Sequence, residues 1–383
     1  MKELEGIRTD VVGSLLRPGA LADARLRYER GGMGEAEFRA AENDAVDRAI
    51  RLQERIGLDV VTDGEFRRLN FQDSFGEAVS GYDSGRAALD FYDQRIAGAQ
   101  PLQRFDLPLS DERAKGTPVV QRQRVVERLR LRRNLVLEEY SYAAAVARKP
   151  VKVTLIGPDR ISQRVDLANS AHVYPAMEDF LADVVEVERA MIAGLADAGC
   201  RYVHIDAPGY TAYVDGPSLD AIRTRGEAPI ANFRRSLKAD NDLICGFGGV
   251  TFGIHLCRGN QRSMWHREGA YDAIAEMLFN ELNHDRFLLE YDSPRAGGFE
   301  PLRFVPGGKT VVLGLVSTKV AQLETIDDLK RRIDEASRYV ALEQLALSPQ
   351  CGFASEFVGN LVNEDDQKRK LELVVETARQ VWG

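Results

Sequence analysis

Two hydrophobic rhythms alternate along the chain. Short apolar runs that close on Gly, Pro or an acidic residue read as buried strands, and longer segments with apolar residues at helical spacing follow most of them. The first run covers residues 10–14 and leads into Arg17 and Pro18. A helix is predicted over residues 34–56, where Phe38, Ala41, Val46, Ala49, Ile50 and Leu52 recur among charges. Further strands are predicted at 57–65, 150–158, 200–206, 250–257, 286–290, 310–317 and 346–351, and further helices at 176–198, 220–241, 270–282, 325–343 and 364–381. This alternation predicts an α/β fold, a closed (β/α)8 TIM barrel spanning residues 1–383 as a single catalytic domain. A doubly wound open sheet is the alternative, but the chain lacks the Gly-x-Gly-x-x-Gly turn that often opens one. Residues 246–249, Gly-Phe-Gly-Gly, precede a strand and read as a tight turn.

Residues 66–120 break the rhythm and form a long insertion after the second strand, rich in Gly, Asp, Arg and aromatics. An excursion of this length is expected to be a lid over a site or an oligomer contact. The charged run 121–133 and its apolar continuation to Val146 predict one helix returning to the core, with its arginines on a solvated face.

The net charge of −8 gives no electrostatic footprint for nucleic acid or an anionic membrane. No stretch approaches the ~18 apolar residues of a membrane span, and the first residues lack a secretory pattern, so a cytoplasmic location is expected. Cys200, Cys245, Cys257 and Cys351 are too few and too scattered for a disulfide framework, which leaves thiol or metal chemistry. Cys200 and Cys245 precede strands and are assigned to packing.

In a barrel of this kind the chemistry lies at the C-terminal ends of the strands. Ser14, Glu65, Asp206, His255 with Cys257, Glu290, Ser317 and Cys351 are predicted there. His255 and Cys257 alternate to one side of a strand and supply half of a metal site, against the competing reading of two buried packing residues. With Glu290 and Cys351 they make a Zn2+ site of one nitrogen, two sulfurs and one oxygen, suited to holding a substrate thiol as thiolate. Glu65 and Asp206 are placed to bind a substrate ammonium, or to serve as general acid and base; Glu290 and Asp206 are the catalytic candidates. Arg67 and Arg68 suit a substrate carboxylate, phosphate or sulfonate, or a salt bridge to Glu65 or Asp63. His204 alternates with Asp206 toward the same face and is kept as a further candidate.

These stretches together carry a resemblance. Val-Gly-Ser14, Asp-Gly-Glu65, Ile-Gly-Pro158, Ile-Asp-Ala-Pro208, His255-Leu-Cys257, Leu-Glu290 and Ser-Pro-Gln-Cys351-Gly resemble the catalytic barrel of the cobalamin-independent methionine synthase family over most of residues 7–380. The resemblance implies that His255, Cys257, Glu290 and Cys351 bind zinc. It also implies that Glu65 and Asp206 hold the amino group of homocysteine, that Ser14 borders its carboxylate, and that methyltetrahydrofolate or another methyl donor supplies the methyl group. Departures are Val316-Ser317 where a histidine follows the seventh strand, Ala207 in place of an acidic residue, and the sequence Arg67-Arg68-Leu-Asn70-Phe71 after Glu65. A second reading resembles epoxyalkane:coenzyme M transferase, with Arg67 and Arg68 facing a sulfonate. A zinc- or corrinoid-binding barrel without turnover is the reading from another class. A homo-oligomer is left open.

Overall fold

The computed structural model describes residues 4, 6–83, 101–102, 104 and 123–383. Eight strands lie in these segments: β1 (Val79–Tyr82), β2 (Val125–Leu131), β3 (Lys152–Ile156), β4 (Tyr202–Asp206), β5 (Thr251–Leu256), β6 (Arg286–Glu290), β7 (Thr310–Val316) and β8 (Leu345–Pro349). β3 to β8 form a six-stranded sheet in sequence order, and every neighbouring pair is parallel. β4, β6 and β8 are buried along their whole length, as expected of strands covered on both faces.

The ring closes through two segments that the sequence predicts as full strands. Residues 57–65 instead contribute one bridge pair, Val61 to Val151, and the first segment pairs at Thr9, just before residues 10–14, with Leu347. Side chains take over where ladder bonds are missing. The Asp59 carboxylate accepts from the amides of Arg8 and Thr9 at 2.8 and 2.9 Å, and the Thr62 hydroxyl donates to Gly13 O at 2.7 Å. The Leu15 amide reaches Gly64 O at 3.1 Å, which joins the two segments to each other. The fold is the (β/α)8 barrel expected from the alternation of strands and helices.

Helices Glu35–Ile56, Met177–Asp197, Asp272–Glu281, Ile326–Ala336 and Glu364–Trp382 occupy the predicted intervals. The expected helix over 121–146 is corrected. Val125–Leu131 is a strand, antiparallel to Val79–Tyr82, and the helix starts only at Leu135. The β-branched pair Val125-Val126 and the burial of Val125 and Leu129 suit a strand with one covered face, while Asn134 caps the helix by accepting from the Leu137 amide at 3.1 Å. Within the described part of the insertion stand the strand Val79–Tyr82 and a short helical turn at Asp73–Gly76; residues 84–100, 103 and 105–120 lie outside the described residues, and with them the test of a lid or an oligomer contact. The glycine-rich segment 246–249 is a tight turn, with Gly246 and Gly249 at φ 86° and 77°.

The N-terminal end of the barrel is pinned by a buried charge network. Lys152 Nζ lies 2.6 Å from Asp10 Oδ1, while Tyr202 Oη and Arg286 Nη2 reach Asp10 Oδ2 at 2.6 and 3.4 Å. Burial opposes ionisation of Asp10, but Lys152 and Arg286 outweigh it and hold the carboxyl below the usual range. Breaking such a pair from one side leaves a buried charge without its partner. Lys152→Met is therefore expected to destabilise the protein by about 3–5 kcal/mol, read from urea unfolding. A loss under about 1 kcal/mol would show that Arg286 and Tyr202 hold Asp10 alone.

Candidate metal and thiol site

The C-terminal ends of the strands open on a cavity of about 790 Å3 whose lining includes Ser14, Glu65, Asp206, His255, Cys257 and Cys351. Strand register builds the centre of it. Asp206 ends β4 and lies opposite His255 on β5, so the two side chains meet, with His255 Nδ1 donating to Asp206 Oδ1 at 2.9 Å. His204, two residues earlier on the same face, donates from Nε2 to the same oxygen at 3.2 Å. Burial would raise the Asp206 pKa, but the two histidine hydrogen bonds outweigh it and hold the carboxyl well below the usual range. With Nδ1 committed to Asp206, Nε2 of His255 is the nitrogen left for a metal; it lies 3.3 Å from the carbonyl oxygen of Gln350.

Cys257 follows β5 and Cys351 follows β8. The ligand atoms of His255, Cys257 and Cys351 all lie within 4.8 Å of one another. Both cysteines are buried free thiols, and Cys351 donates to the Cys257 sulfur. That hydrogen bond, with the neighbouring His255 charge, outweighs burial and pulls the Cys257 thiol down to about 6. Burial pulls His255 down, yet the Cys257 thiolate and Asp206 prevail and lift it to about 9. Donation to Cys257, together with burial, pushes Cys351 well above the ordinary thiol range. One imidazole and two sulfurs converging on a point, with a carboxylate orienting the imidazole, fit a thiophilic divalent metal.

Glu290 ends β6 and is fully buried. Its Oε2 accepts from the Arg258 amide at 2.5 Å and its Oε1 from Arg295 at 3.3 Å. Burial favours the neutral acid, but Lys319, Arg258 and Arg295 overcome it and keep Glu290 ionised at neutral pH. It stands outside the trio of converging ligand atoms.

Glu65 lines the cavity from a left-handed backbone conformation, φ 57°, which a non-glycine residue adopts only where its surroundings enforce it. Its Oε1 accepts from the Thr154 hydroxyl at 2.6 Å. Ser14 holds Phe353 through its carbonyl oxygen at 2.9 Å, which ties the first segment to the loop after β8. Arg67 and Arg68 do not line this cavity. Arg67 bonds Glu42 and Asn43 at 3.2 and 2.6 Å, and the buried Arg68 grips Glu139 at 2.6 Å and Thr154 O at 2.9 Å. Both guanidiniums are engaged in holding the second segment to its neighbours. Cys200 is buried as expected of a packing residue; the packing assignment of Cys245 is corrected, since it is exposed at the C-cap of helix Pro229–Ile244.

Residues 7–100 and 99–380 match the catalytic domain of the cobalamin-independent synthase. The chain belongs to that family. An uncharacterized protein of Bacillus subtilis, YxjG, is 38% identical over 378 residues, which cover 98% of this chain and 94% of that one. A methionine synthase of Pyrococcus abyssi is 25% identical over 351 residues, 91% of this chain and 87% of its own length. Among solved structures, a putative vitamin-B12 independent methionine synthase from Listeria monocytogenes superposes with a TM-score of 0.70 at 26% identity, covering 98% of this chain and 97% of that one.

In this member of the cobalamin-independent synthase family, two motif glycines have a steric reason. A Cβ on Gly13 would overlap Glu65 Oε1 and stand 2.7 Å from Thr154 Cγ2, and a Cβ on Gly352 would overlap the Ser14 hydroxyl. Neither position admits a side chain unless Glu65 or Ser14 moves. Sequence reasoning did not find Gln350, Arg258 or Lys319 around the centre. Gln350 and Arg258 each adjoin a recognised cysteine, which was the available signal; Lys319, a buried lysine two residues after Ser317, had none.

Proposed function

We propose that this protein is a zinc-dependent thiol methyltransferase that converts homocysteine to methionine, taking the methyl group from methyltetrahydrofolate or a related donor. The observation that carries the reading is the convergence of His255, Cys257 and Cys351 in the same cavity as the carboxylates of Glu65 and Asp206. Family membership and the methionine synthases among the relatives support it.

His255 Nε2, Cys257 Sγ and Cys351 Sγ would hold the ion, with Glu290 as the fourth ligand that yields to the substrate. When bound, zinc supplies the positive charge that keeps a substrate thiol deprotonated at neutral pH. Both histidine bonds of Asp206 fall on Oδ1, which leaves Oδ2 to accept from the substrate ammonium together with Glu65. Ser14 borders the carboxylate. Held at both ends, the amino acid presents its sulfur to the donor methyl; the sulfur–carbon bond forms as the donor–carbon bond breaks, and the donor keeps the bonding pair.

Calorimetry of the zinc-loaded protein with homocysteine and with coenzyme M tests the reading. Homocysteine is expected to bind with release of about one proton, because the thiol of ordinary pKa near ~8.5 ionises on binding. Binding of coenzyme M alone would overturn the choice of thiol, and binding of neither would remove the thiol reading. Gly13→Ala gives a second check. By displacing the Glu65 carboxylate it is expected to weaken homocysteine binding about tenfold with zinc content unchanged. Equal affinity in this variant would detach Glu65 from the amino group.

A further inference from the structure

The cavity of about 790 Å3 is larger than the proposed amino acid requires. Volumes of roughly 300–1,000 Å3 ordinarily enclose a drug-sized ligand. An amino acid leaves part of it unfilled, and the wall of the cavity carries Arg160, Arg164 and Arg267. Arg160 lies on the helical turn Pro158–Ser162 after β3, and Arg267 in the loop after β5.

The two guanidiniums meet on one neutral group: Gln163 Oε1 accepts from Arg160 Nη1 at 3.5 Å and from Arg267 Nη2 at 3.4 Å. Arg267 Nη1 donates to the carbonyl oxygens of Pro208 and Gly209 at 2.6 and 3.4 Å. Among the described residues, then, the hydrogen bonds of Arg267 end on carbonyl oxygens. Elsewhere on the same wall Arg225 is paired with Glu227 at 2.6 Å and Arg235 with Glu178 at 3.2 Å. The platform under the two guanidiniums is built: Gln163 Nε2 donates to Asp159 Oδ2 at 3.2 Å, and any side chain on Gly209 would collide with that carboxylate. Burial, then the neighbouring Arg164 and Arg267 charges, pull Arg160 down to about 9. Burial also lowers Arg267; the Asp159 carboxylate is the first charge to oppose the fall in both, joined at Arg267 by Asp215 and in both by the Cys257 thiolate, so three guanidiniums share this wall with one buried carboxylate beneath them.

Resting on the transferase reading above, we propose that Arg160 and Arg267, flanked by Arg164, form an anion subsite that binds the carboxylate groups of the methyl donor. Guanidinium pairs suit carboxylates by their fork geometry. The amino acid does not need them. With its ammonium at Glu65 and Asp206, its carboxylate stands on the adjoining carbon beside Ser14.

The test compares the full-length zinc-loaded protein with Arg160→Gln/Arg267→Gln and with Arg267→Lys. In the double variant the KM for methyltetrahydrofolate is expected to rise about tenfold or more, with homocysteine KM and zinc content unchanged and with the single Lys variant in between. An unchanged donor KM overturns the subsite, as does a rise in homocysteine KM in its place. Glutarate, a bare dicarboxylate, separates this inference from the transferase reading because its binding needs no turnover. Should the wild-type protein form no methionine, weaker glutarate binding in the double variant upholds the subsite while the reaction reading fails. Equal glutarate binding in the wild type and both variants overturns the subsite. Arg267→Lys keeps the charge and decides the matter if the double variant does not fold.

Discussion

Cys257→Ser and Cys351→Ser are each expected to purify without stoichiometric zinc and to lose methyl transfer by more than about 100-fold, since losing even an outer contact of a zinc ligand costs 10–100-fold. The two sulfurs are half of the proposed donor set, and serine offers a hard, weakly acidic oxygen in place of a thiolate. The serine variants differ in one respect. Cys257→Ser also removes the thiolate that lifts His255 to about 9, whereas Cys351→Ser removes the hydrogen bond that pulls Cys257 down. Zinc content by atomic absorption decides the ligand assignment, and full occupancy in either variant would sink it.

Asp206→Asn is expected to lower zinc affinity 10–100-fold with the fold retained, because it removes the carboxylate that fixes the His255 ring through Nδ1. Homocysteine binding should fall with it, as Glu65 alone remains for the ammonium. The metal-free protein should show a pH signature as well. His255 titrates near 9 in the folded chain against an ordinary 6.5, so its stabilising contribution is full below 6.5 and is lost as pH rises through about 9. Cys257 is lowered from 9.0 to about 6, so its contribution is present above 9 and is lost as pH falls through about 6. Between about pH 6.5 and 9 the two changes offset, His255 losing what Cys257 gains, so the pair's contribution to the metal-free protein is nearly level there. Asp206→Asn should lower the pH at which the His255 contribution is lost, since Asp206 helps hold the His255 proton, and the variant's profile should then rise with pH from that lower value up to about 9, where the wild-type profile is level. Urea unfolding of the metal-free proteins from pH 6 to 9.5 reads this, and superimposable profiles for variant and wild type would refute it.

How far the sequence reaches can be seen residue by residue. β3 to β8 were legible because each is a buried apolar run bounded by turn residues, and a period of two at His204, Asp206, His255 and Cys257 aims side chains at one mouth. The first two segments of the ring read as strands by the same rule, yet each pairs through one bridge, because closure there is carried by Asp59 and Thr62 side chains that no periodicity reveals. Val125–Leu131 was misread because five charged residues in and beside it suggested a helix face, when the partner strand Val79–Tyr82 dictates an extended chain. Arg67 and Arg68 looked like ligands for an anion because they follow Glu65. Their partners Glu42 and Glu139 lie on distant helices, and only the fold brings them together. Arg160 and Arg267 were invisible for the same reason.

The uneven closure of the ring divides the mouth into two mechanical halves. His255, Cys257, Glu290 and Cys351 hang from the continuous six-stranded ladder, whose many cooperative hydrogen bonds resist local opening. Ser14 and Glu65 hang from the seam, where single bridges and a few side-chain bonds hold two extended segments. The seam is thus held by side chains where the rest of the ring is held by its backbone ladder. On the proposed reading, the amino acid would meet the sparsely bonded wall through Ser14 and Glu65, and the metal would meet the continuous ladder through His255, Cys257 and Cys351.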